Sequence, residues 1–391
     1  MKEIRVGVIG IGNIGSTHVK SIADKRIKGM TLSAVCDIDC EKFSWVKEQY
    51  PACLLFTDYK ELIESGAVDA VIVAVPHILH GEIGEYALKN GLHVLVEKPV
   101  DISVSVAKRL NEAAKKSGKV FCIMFNQRTN SLFQKARDIV QSGKLGCLKR
   151  SVWIVTNWYR TQKYYDSGEW RATWGGEGGG VLLNQAPHNL DLWQWILGMP
   201  KAVTAYCEIG KYHDIEVEDD VTIFTEYDNG ATGTFITSTG EYPGTNRLEI
   251  SGDLGKIVLE NGVLKWWKLK QPEREVCVKS QELFTSIDTE YTEIQDDTTS
   301  VGHVEILQNF VDCILYGMPL IAPGIEGIHE LTISNAAYLS HWSGNKKITL
   351  PFDTAAFDSL LAEKGKHSKY VKSSSHAVTP GDYRDRWQVR W

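Results

Sequence analysis

The sequence predicts an α/β protein. A doubly wound parallel sheet of the Rossmann type should come first, then a C-terminal α/β domain on a large, mostly antiparallel open sheet. Three observations carry this. Gly10-Ile11-Gly12-Asn13-Ile14-Gly15 follows a short apolar run and precedes a helical pattern. Short β-branched runs alternate with helical patterns up to about residue 126. Beyond about residue 130, long alternating runs are separated by turns such as Asp228-Asn229-Gly230 and Glu260-Asn261-Gly262, a strong hairpin signal.

The glycine loop sets the first half. G-x-G-x-x-G between a strand and a helix is the context in which it cradles phosphates. Gly10 permits the tight turn, Gly12 lets backbone N–H groups approach a pyrophosphate, and Gly15 lets helix and strand pack closely. Asn13 and Ile14 open the helix, whose unpaired N–H groups and positive dipole end face an anion. The next strand, residues 32–36, ends at Asp37, 22 residues after Gly15. An acid at that distance grips a ribose 2′-hydroxyl. Ile38, Asp39 and Cys40 follow with no Arg or Lys among them, so a 2′-phosphate would meet two carboxylates. The expected cofactor is NAD rather than NADP.

Helices are expected over 40–49, over 58–65 behind a capping Asp58, over 80–90 before Gly91, and over 103–117 before Gly118. Strands are expected over 70–75, His93–Val96 and 120–125. Ligands bind beyond the carboxyl ends of such strands. Asp37, Pro76, Lys98 and Asn126 all follow strand ends, so one crevice collects them.

In the second half, a helix over 132–141 leads into strands over 149–158, 202–208, 221–227, 232–239, 247–250, 256–260 and Val263–Leu269. Helices are expected over 181–197, 301–316 and 326–343. One face of this sheet packs and the other is available to a second subunit, so a homodimer or homotetramer is expected. The expected divisions are 1–126 for the dinucleotide domain, 127–364 for substrate binding and oligomerisation, and 365–391 for a polar C-terminal arm. The aromatic end of that arm, Trp387 and Trp391, suggests that it docks.

Composition narrows the partners. The 391 residues are 43% hydrophobic and 24% charged with a net charge of −6 and no basic block, which argues against a nucleic-acid partner. No apolar run reaches membrane-spanning length, and the first strand begins too early to leave room for a signal peptide. The eight cysteines are scattered without C-x-x-C spacing, as expected of reduced thiols in a cytoplasmic protein. No His/Cys/Asp cluster has zinc spacing, so no metal is expected. Twelve Trp leave some for a binding surface.

Two stretches carry chemistry. Glu97-Lys98-Pro99 sits at a strand end in the crevice. Lys98 there can steady negative charge on a reacting oxygen, and Glu97 can hold the nicotinamide side. Gly178-Gly179-Gly180 leads into V-L-L-N-Q-A-P-H-N-L-D-L. On a helix, Asn184, His188 and Asp191 share one face and suit a hydroxylated molecule. His188 can take a hydroxyl proton. Pro187 kinks that helix or marks its first turn. Residues 158–174 mix aromatics with Arg160, Lys163, Tyr164, Tyr165 and Arg171 and suit a sugar ring. His18, His77, His93 and His213 are read as structural.

Together these motifs resemble the Gfo/Idh/MocA family of NAD(P)-dependent oxidoreductases over most of residues 4–350. The resemblance rests on the glycine loop, Pro76 with His80, H-V-L-V-E-K-P at 93–99, Asn126 with Arg128, and G-G-G-x-L-x-N-x-x-x-H-x-x-D-L at 178–192. It implies a Rossmann domain with an oligomer-forming open sheet, Lys98 and His188 as catalytic pair, and His80 lining the cofactor pocket. Arg128, Tyr165, Arg171, Asn184 and Asp191 are expected around the substrate. Many members carry Asp where this chain has Asn184; an amide cannot act as a carboxylate base but can bond a sugar hydroxyl. The expected reaction is hydride transfer between NAD and a secondary hydroxyl or ketone of a sugar, cyclitol or glycoside. Two alternatives stay open: an NAD-dependent glycosidase working by transient oxidation and elimination, and a redox-inactive nucleotide and sugar sensor.

Overall fold

The computed structural model describes residues 3–297 and 302–369. In the first half, β1 (Ile4–Ile9), β2 (Met30–Cys36), β3 (Leu54–Phe56), β4 (Ala70–Val73), β5 (His93–Val96) and β6 (Phe121–Ile123) form one sheet. Its order is β3-β2-β1-β4-β5-β6 and every pair is parallel. Helices α1 (Asn13–Ala23), α2 (Phe43–Gln49), α3 (Tyr59–Glu64), α4 (His80–Lys89) and α5 (Val104–Ser117) connect the strands. Local chemistry fixes their ends. Asp58 accepts from the Lys60 N–H at 2.8 Å and starts α3. Gly118, at φ 64°, ends α5. The strand expected over 120–125 stops at Ile123 because a tight turn, Phe125 N–H to Ile123 O at 2.9 Å, takes the chain out of the sheet.

The second half begins with α6 (Ser131–Gln141), β7 (Leu148–Val155), the short α7 (Gln162–Tyr165) and α8 (Pro187–Leu197). Strands β8 (Ala202–Ile209), β9 (Glu218–Glu226), β10 (Thr232–Ser238), β11 (Asn246–Gly252), β12 (Gly255–Glu260) and β13 (Val263–Leu269) follow. The chain closes through α9 (Glu273–Lys279), β14 (Thr289–Gln295), α10 (Gly302–Tyr316), α11 (Gly327–Trp342), β15 (Ile348–Thr349) and α12 (Thr354–Lys366). The sheet order is β14-β13-β12-β11-β7-β10-β9-β8-β15, and only β7 and β10 pair in parallel. Asn261 and Gly262, at φ 53° and 73°, make the β12–β13 hairpin with the two positive φ values a type I′ turn requires. The inner face packs on α8 and α11, with Trp153, Trp193 and Phe235 fully buried between them. The outer face shows Tyr206 and Phe224, which the register puts on one side.

Three expectations are corrected. The helix expected over 181–197 begins at Pro187, because a proline lacks the N–H that a helix interior needs and is preorganised for the first turn. Residues 181–186 are separate turns, with Asn184 N–H bonding Gly180 O at 3.0 Å and Ala186 N–H bonding Val181 O at 2.8 Å. The arm expected from residue 365 starts inside α12. Its remainder, 370–391 with Trp387 and Trp391, lies outside the described residues, as does Val301. Finally, the chain does not leave the first sheet for good at residue 126. Ile123 N–H bonds Ala322 O at 3.1 Å, and Gln308 on α10 accepts from Lys28 N–H at 2.8 Å. The return brings the start of α10 to the crevice.

Among the described residues no helix is long and apolar enough to cross a membrane.

Candidate active site

The glycine loop has the shape a pyrophosphate needs. Gly10 sits at φ 87°, and a Cβ there would come within 2.5 Å of Ala74 O. A Cβ on Gly15 would come within 1.8 Å of Gly10 O, which is why helix and strand approach so closely. A Cβ on Gly12 would meet nothing within 4 Å, so the space in front of the α1 N-terminus is open. No side chain caps that terminus, which leaves Asn13 and Ile14 in the first turn at the cradle. Gly12→Ala is therefore expected to fold with an unchanged melting temperature. It should weaken dinucleotide binding at least ~10-fold, read by titration of NADH fluorescence, because the added methyl fills the cradle.

Asp37 follows β2 and accepts from the Ile11 N–H of the loop at 2.9 Å. A cation joins the carboxylates expected there. Lys42, five residues on, folds back to put its Nζ 3.1 and 3.2 Å from the two Asp37 oxygens. The intervening 3-10 turn, Cys40–Lys42, makes that reach possible.

Lys98 leaves the end of β5 and donates from Nζ to the backbone carbonyl of Asn184 at 2.7 Å. That bond ties the two halves together four residues before His188. His188 is the second residue of α8, and its ring lies edge-on to Phe125 at 6.5 Å. Burial, then the nearby Lys98 charge and His303, push His188 well below the ordinary imidazole pKa, against an opposing pull from Glu97. Burial likewise lowers Lys98, opposed by Glu97, Glu177 and Glu330. The imidazole is thus neutral at neutral pH beside an ammonium.

Glu97 is buried, with Oε1 2.7 Å from His18 Nε2. Burial pushes its pKa up, but the His18 bond and the His18, His303 and Lys98 charges outweigh this and hold it at about 2. His303, at the start of α10, completes the wall. Its Nδ1 lies 3.4 Å from Asn126 Nδ2, and its ring is 6.0 Å from His18. Burial pushes its pKa down to about 4. No local pattern marked His303, because its place depends on the late return of the chain.

Several expected site residues are engaged elsewhere. Arg128 and Asp191, each 1% exposed, form a two-pronged pair at 2.8 and 2.7 Å. Arg128 also donates to Glu326 and Ile321 O, and Asp191 also accepts from Gln194. They brace the turn after β6 against α8. His80 is likewise a brace: its nitrogens face Pro99 O at 2.7 Å and Val75 O at 2.8 Å, holding the backbone just before Pro76 to the backbone after Lys98. Tyr165 turns into the core, with its hydroxyl 2.7 Å from Thr239 Oγ1. Its neighbour Tyr164 faces the other way and accepts from Arg171 at 3.0 Å and Gln185 at 3.2 Å. The Arg171 guanidinium is held between the Tyr164 and Trp170 rings, at 4.8 and 4.6 Å.

One further residue stands out. Glu177 is 1% exposed and accepts from the Ala172 N–H at 2.6 Å and from Asn184 Nδ2. A single acid in a glycine-rich stretch gave no signal of this in the sequence. Among the described residues no group of three His, Cys, Asp or Glu could hold a metal ion.

Comparison with known proteins agrees with this arrangement. Residues 4–125 match the family described as "Oxidoreductase family, NAD-binding Rossmann fold". Residues 133–258 match "GFO/IDH/MocA C-terminal domain". The chain is 26% identical over 342 residues to myo-inositol 2-dehydrogenase of Thermotoga maritima, covering 85% of this chain and 95% of that one. It is 24% identical over 357 residues to scyllo-inositol 2-dehydrogenase (NAD(+)) of Bacillus subtilis, covering 88% and 95%. Among solved structures, the WlbA dehydrogenase from Bordetella pertussis in complex with NADH and UDP-GlcNAcA superposes with a TM-score of 0.75 at 26% identity, covering 90% of this chain and 100% of that one. The two family matches span well over half of the chain, one in each half, and the protein belongs to the Gfo/Idh/MocA family of NAD-binding oxidoreductases.

Proposed function

We propose that the protein oxidises a secondary hydroxyl of a sugar, cyclitol or glycoside, or reduces the matching ketone, with Lys98 and His188 as the catalytic pair. One observation carries this reading. Lys98, from the end of β5, bonds the Asn184 carbonyl four residues before His188 at the start of α8, and its charge adds to burial in holding the His188 imidazole neutral. Bound along the glycine loop, the dinucleotide supplies the hydride acceptor. Gly10, Gly12, Gly15, Asn13 and Ile14 would hold its phosphates, Asp37 its ribose, and Glu97 with Asn126 its nicotinamide side. His188 accepts the hydroxyl proton. Lys98 steadies the oxygen as negative charge develops on it. Arg171 and Asn184 orient the rest of the molecule.

NAD is favoured over NADP because the Asp37 carboxylate suits a 2′-hydroxyl, and because the relatives' names mention NAD(+) and NADH. The free thiols support a reducing, cytoplasmic setting. The exposed rings of Tyr206 and Phe224 on the outer sheet face support a homodimer or homotetramer. The divisions 1–126 and 127–364 are kept as functional units, with residues 302–326 lent back to the first. The test is NADH absorbance over a panel of inositols, aldoses and methyl glycosides. If every member leaves NAD unreduced while NAD binds tightly, the protein is no dehydrogenase of this class.

The pH profile follows from the same pair. His188 must be neutral to accept a proton, and its pKa lies well below 6.5. Oxidation is therefore expected to stay flat through neutrality and to fall only at distinctly acid pH. Lys98 must be charged, and its pKa is lowered from 10.5, so the alkaline fall begins earlier than for a free lysine. His188→Gln should remove the acid limb. A wild-type limb centred at about pH 6.5, the ordinary imidazole value, or above would contradict the assignment.

A further inference from the structure

We propose that Glu177 is a positioning residue that fixes the polarity of Asn184, so that a substrate hydroxyl meets the carbonyl oxygen of the amide and not its NH2 group. This rests on the proposed reaction only in placing the substrate beside Lys98 and His188.

An asparagine amide has an accepting end and a donating end of nearly the same shape, and its neighbours decide which way it points. Burial raises the Glu177 pKa, opposed by Arg171, the Ala172 N–H and the Asn184 amide, and against the ionised carboxylate the neighbours leave one choice. The Ala172 backbone N–H can only donate, so Glu177 Oε2 accepts. Glu177 Oε1 takes the Asn184 Nδ2 group. Asn184 Oδ1 has no hydrogen-bond partner among the described residues, and the side chain is half-buried. The backbone carbonyl of the same residue already holds Lys98 Nζ at 2.7 Å. Asn184 therefore offers the gap a single acceptor next to the ammonium.

The middle of the span from Glu177 to Asn184 is fixed. A Cβ on Gly179 would come within 2.1 Å of the Tyr338 hydroxyl, and one on Gly180 within 2.0 Å of Glu218 O, so the main chain is packed on both sides. The buried Glu218 carboxylate accepts from Gly180 N–H and Leu182 N–H at 3.0 Å and from the Tyr338 hydroxyl at 2.7 Å. Ala172 takes φ 52°, a left-handed conformation that aims its N–H at Glu177. The Glu177–Asn184 pair cannot drift, so the polarity it sets is built in.

The experiment is a swap of the acid along the pair. In E177Q the new amide must give its oxygen to Ala172 N–H and its NH2 to Asn184. Asn184 then turns and shows the gap a donor. The affinity of NAD-loaded protein for myo-inositol and methyl β-D-glucopyranoside, read by calorimetry, should fall about 10–100-fold, the range for a mispaired polar group. NAD affinity should not change. Wherever one of these is a substrate, the loss should fall mainly in KM. In E177Q/N184D the carboxylate moves one step closer to the gap. It then sits at position 184, accepts from the amide at position 177 and again shows an oxygen, so affinity should return to within about 5-fold of wild type. N184D alone sets two carboxylates against each other and should be impaired, recovering as the pH is lowered and one proton is shared. A double variant no better than E177Q reduces Glu177 to packing and overturns the proposal. So does E177Q binding like wild type, or wild-type protein binding neither compound. Binding that follows this pattern without NAD reduction would instead remove the dehydrogenase reading and leave the amide polarity standing.

Discussion

Lys98→Met should lower turnover by about 10²–10³-fold, the loss seen when one preorganised donor to a developing oxyanion is removed, while NAD binds as before. Lys98 is one of the residues that join the two halves: its backbone follows the end of β5, and its Nζ reaches Asn184 O at 2.7 Å. Methionine keeps most of the aliphatic stem, so packing changes little, but no cation is left to face the substrate oxygen. Glu97 keeps His18 at 2.7 Å, so the nicotinamide side is undisturbed. Steady-state rates beside a fluorescence titration with NADH separate the two effects. A variant that turns over within a few-fold of wild type would take Lys98 out of the chemistry.

The second large effect is on stability. Arg128→Met should cost about 3–5 kcal/mol, as measured when one partner of a buried ion pair is removed. The pair is 1% exposed on both sides and bonded twice. Without the guanidinium, Asp191 is a buried charge left with only the Gln194 amide, and the carbonyl of Ile321 loses its donor. Removing both charges with Arg128→Met and Asp191→Leu should be milder, because no lone charge is then buried. Urea midpoints for wild type, the single variant and the double variant decide this. A single variant as stable as wild type would mean that the pair contributes nothing.

Much of the fold could be read from local signals. The glycine loop, the β-branched run of β4, the caps at Asp58 and Gly118 and the Asn-Gly hairpins all act within a few residues. The family resemblance names Lys98 and His188 as a pair, and the structure bonds Lys98 to the Asn184 carbonyl four residues before His188. What was not legible depends on distant partners. Arg128, Asp191 and His80 have the side chains of a binding site, yet each meets a buried mate that only the fold supplies. Tyr164 and Tyr165 are neighbours of similar chemistry, and only the turn of α7 decides which faces outward. His303 and Glu177 had no pattern at all. The first is delivered by a chain return of long range, and the second acts on a residue that sequence reasoning had put on a helix.

The return of residues 302–326 to the first sheet has a consequence for biosynthesis. One wall of the nucleotide crevice, at His303, is encoded far downstream of the glycine loop. A nascent chain paused on the ribosome after residue 126 already contains all six parallel strands but lacks that wall. Tight capture of a dinucleotide is therefore expected only after α10 and the segment following it have emerged.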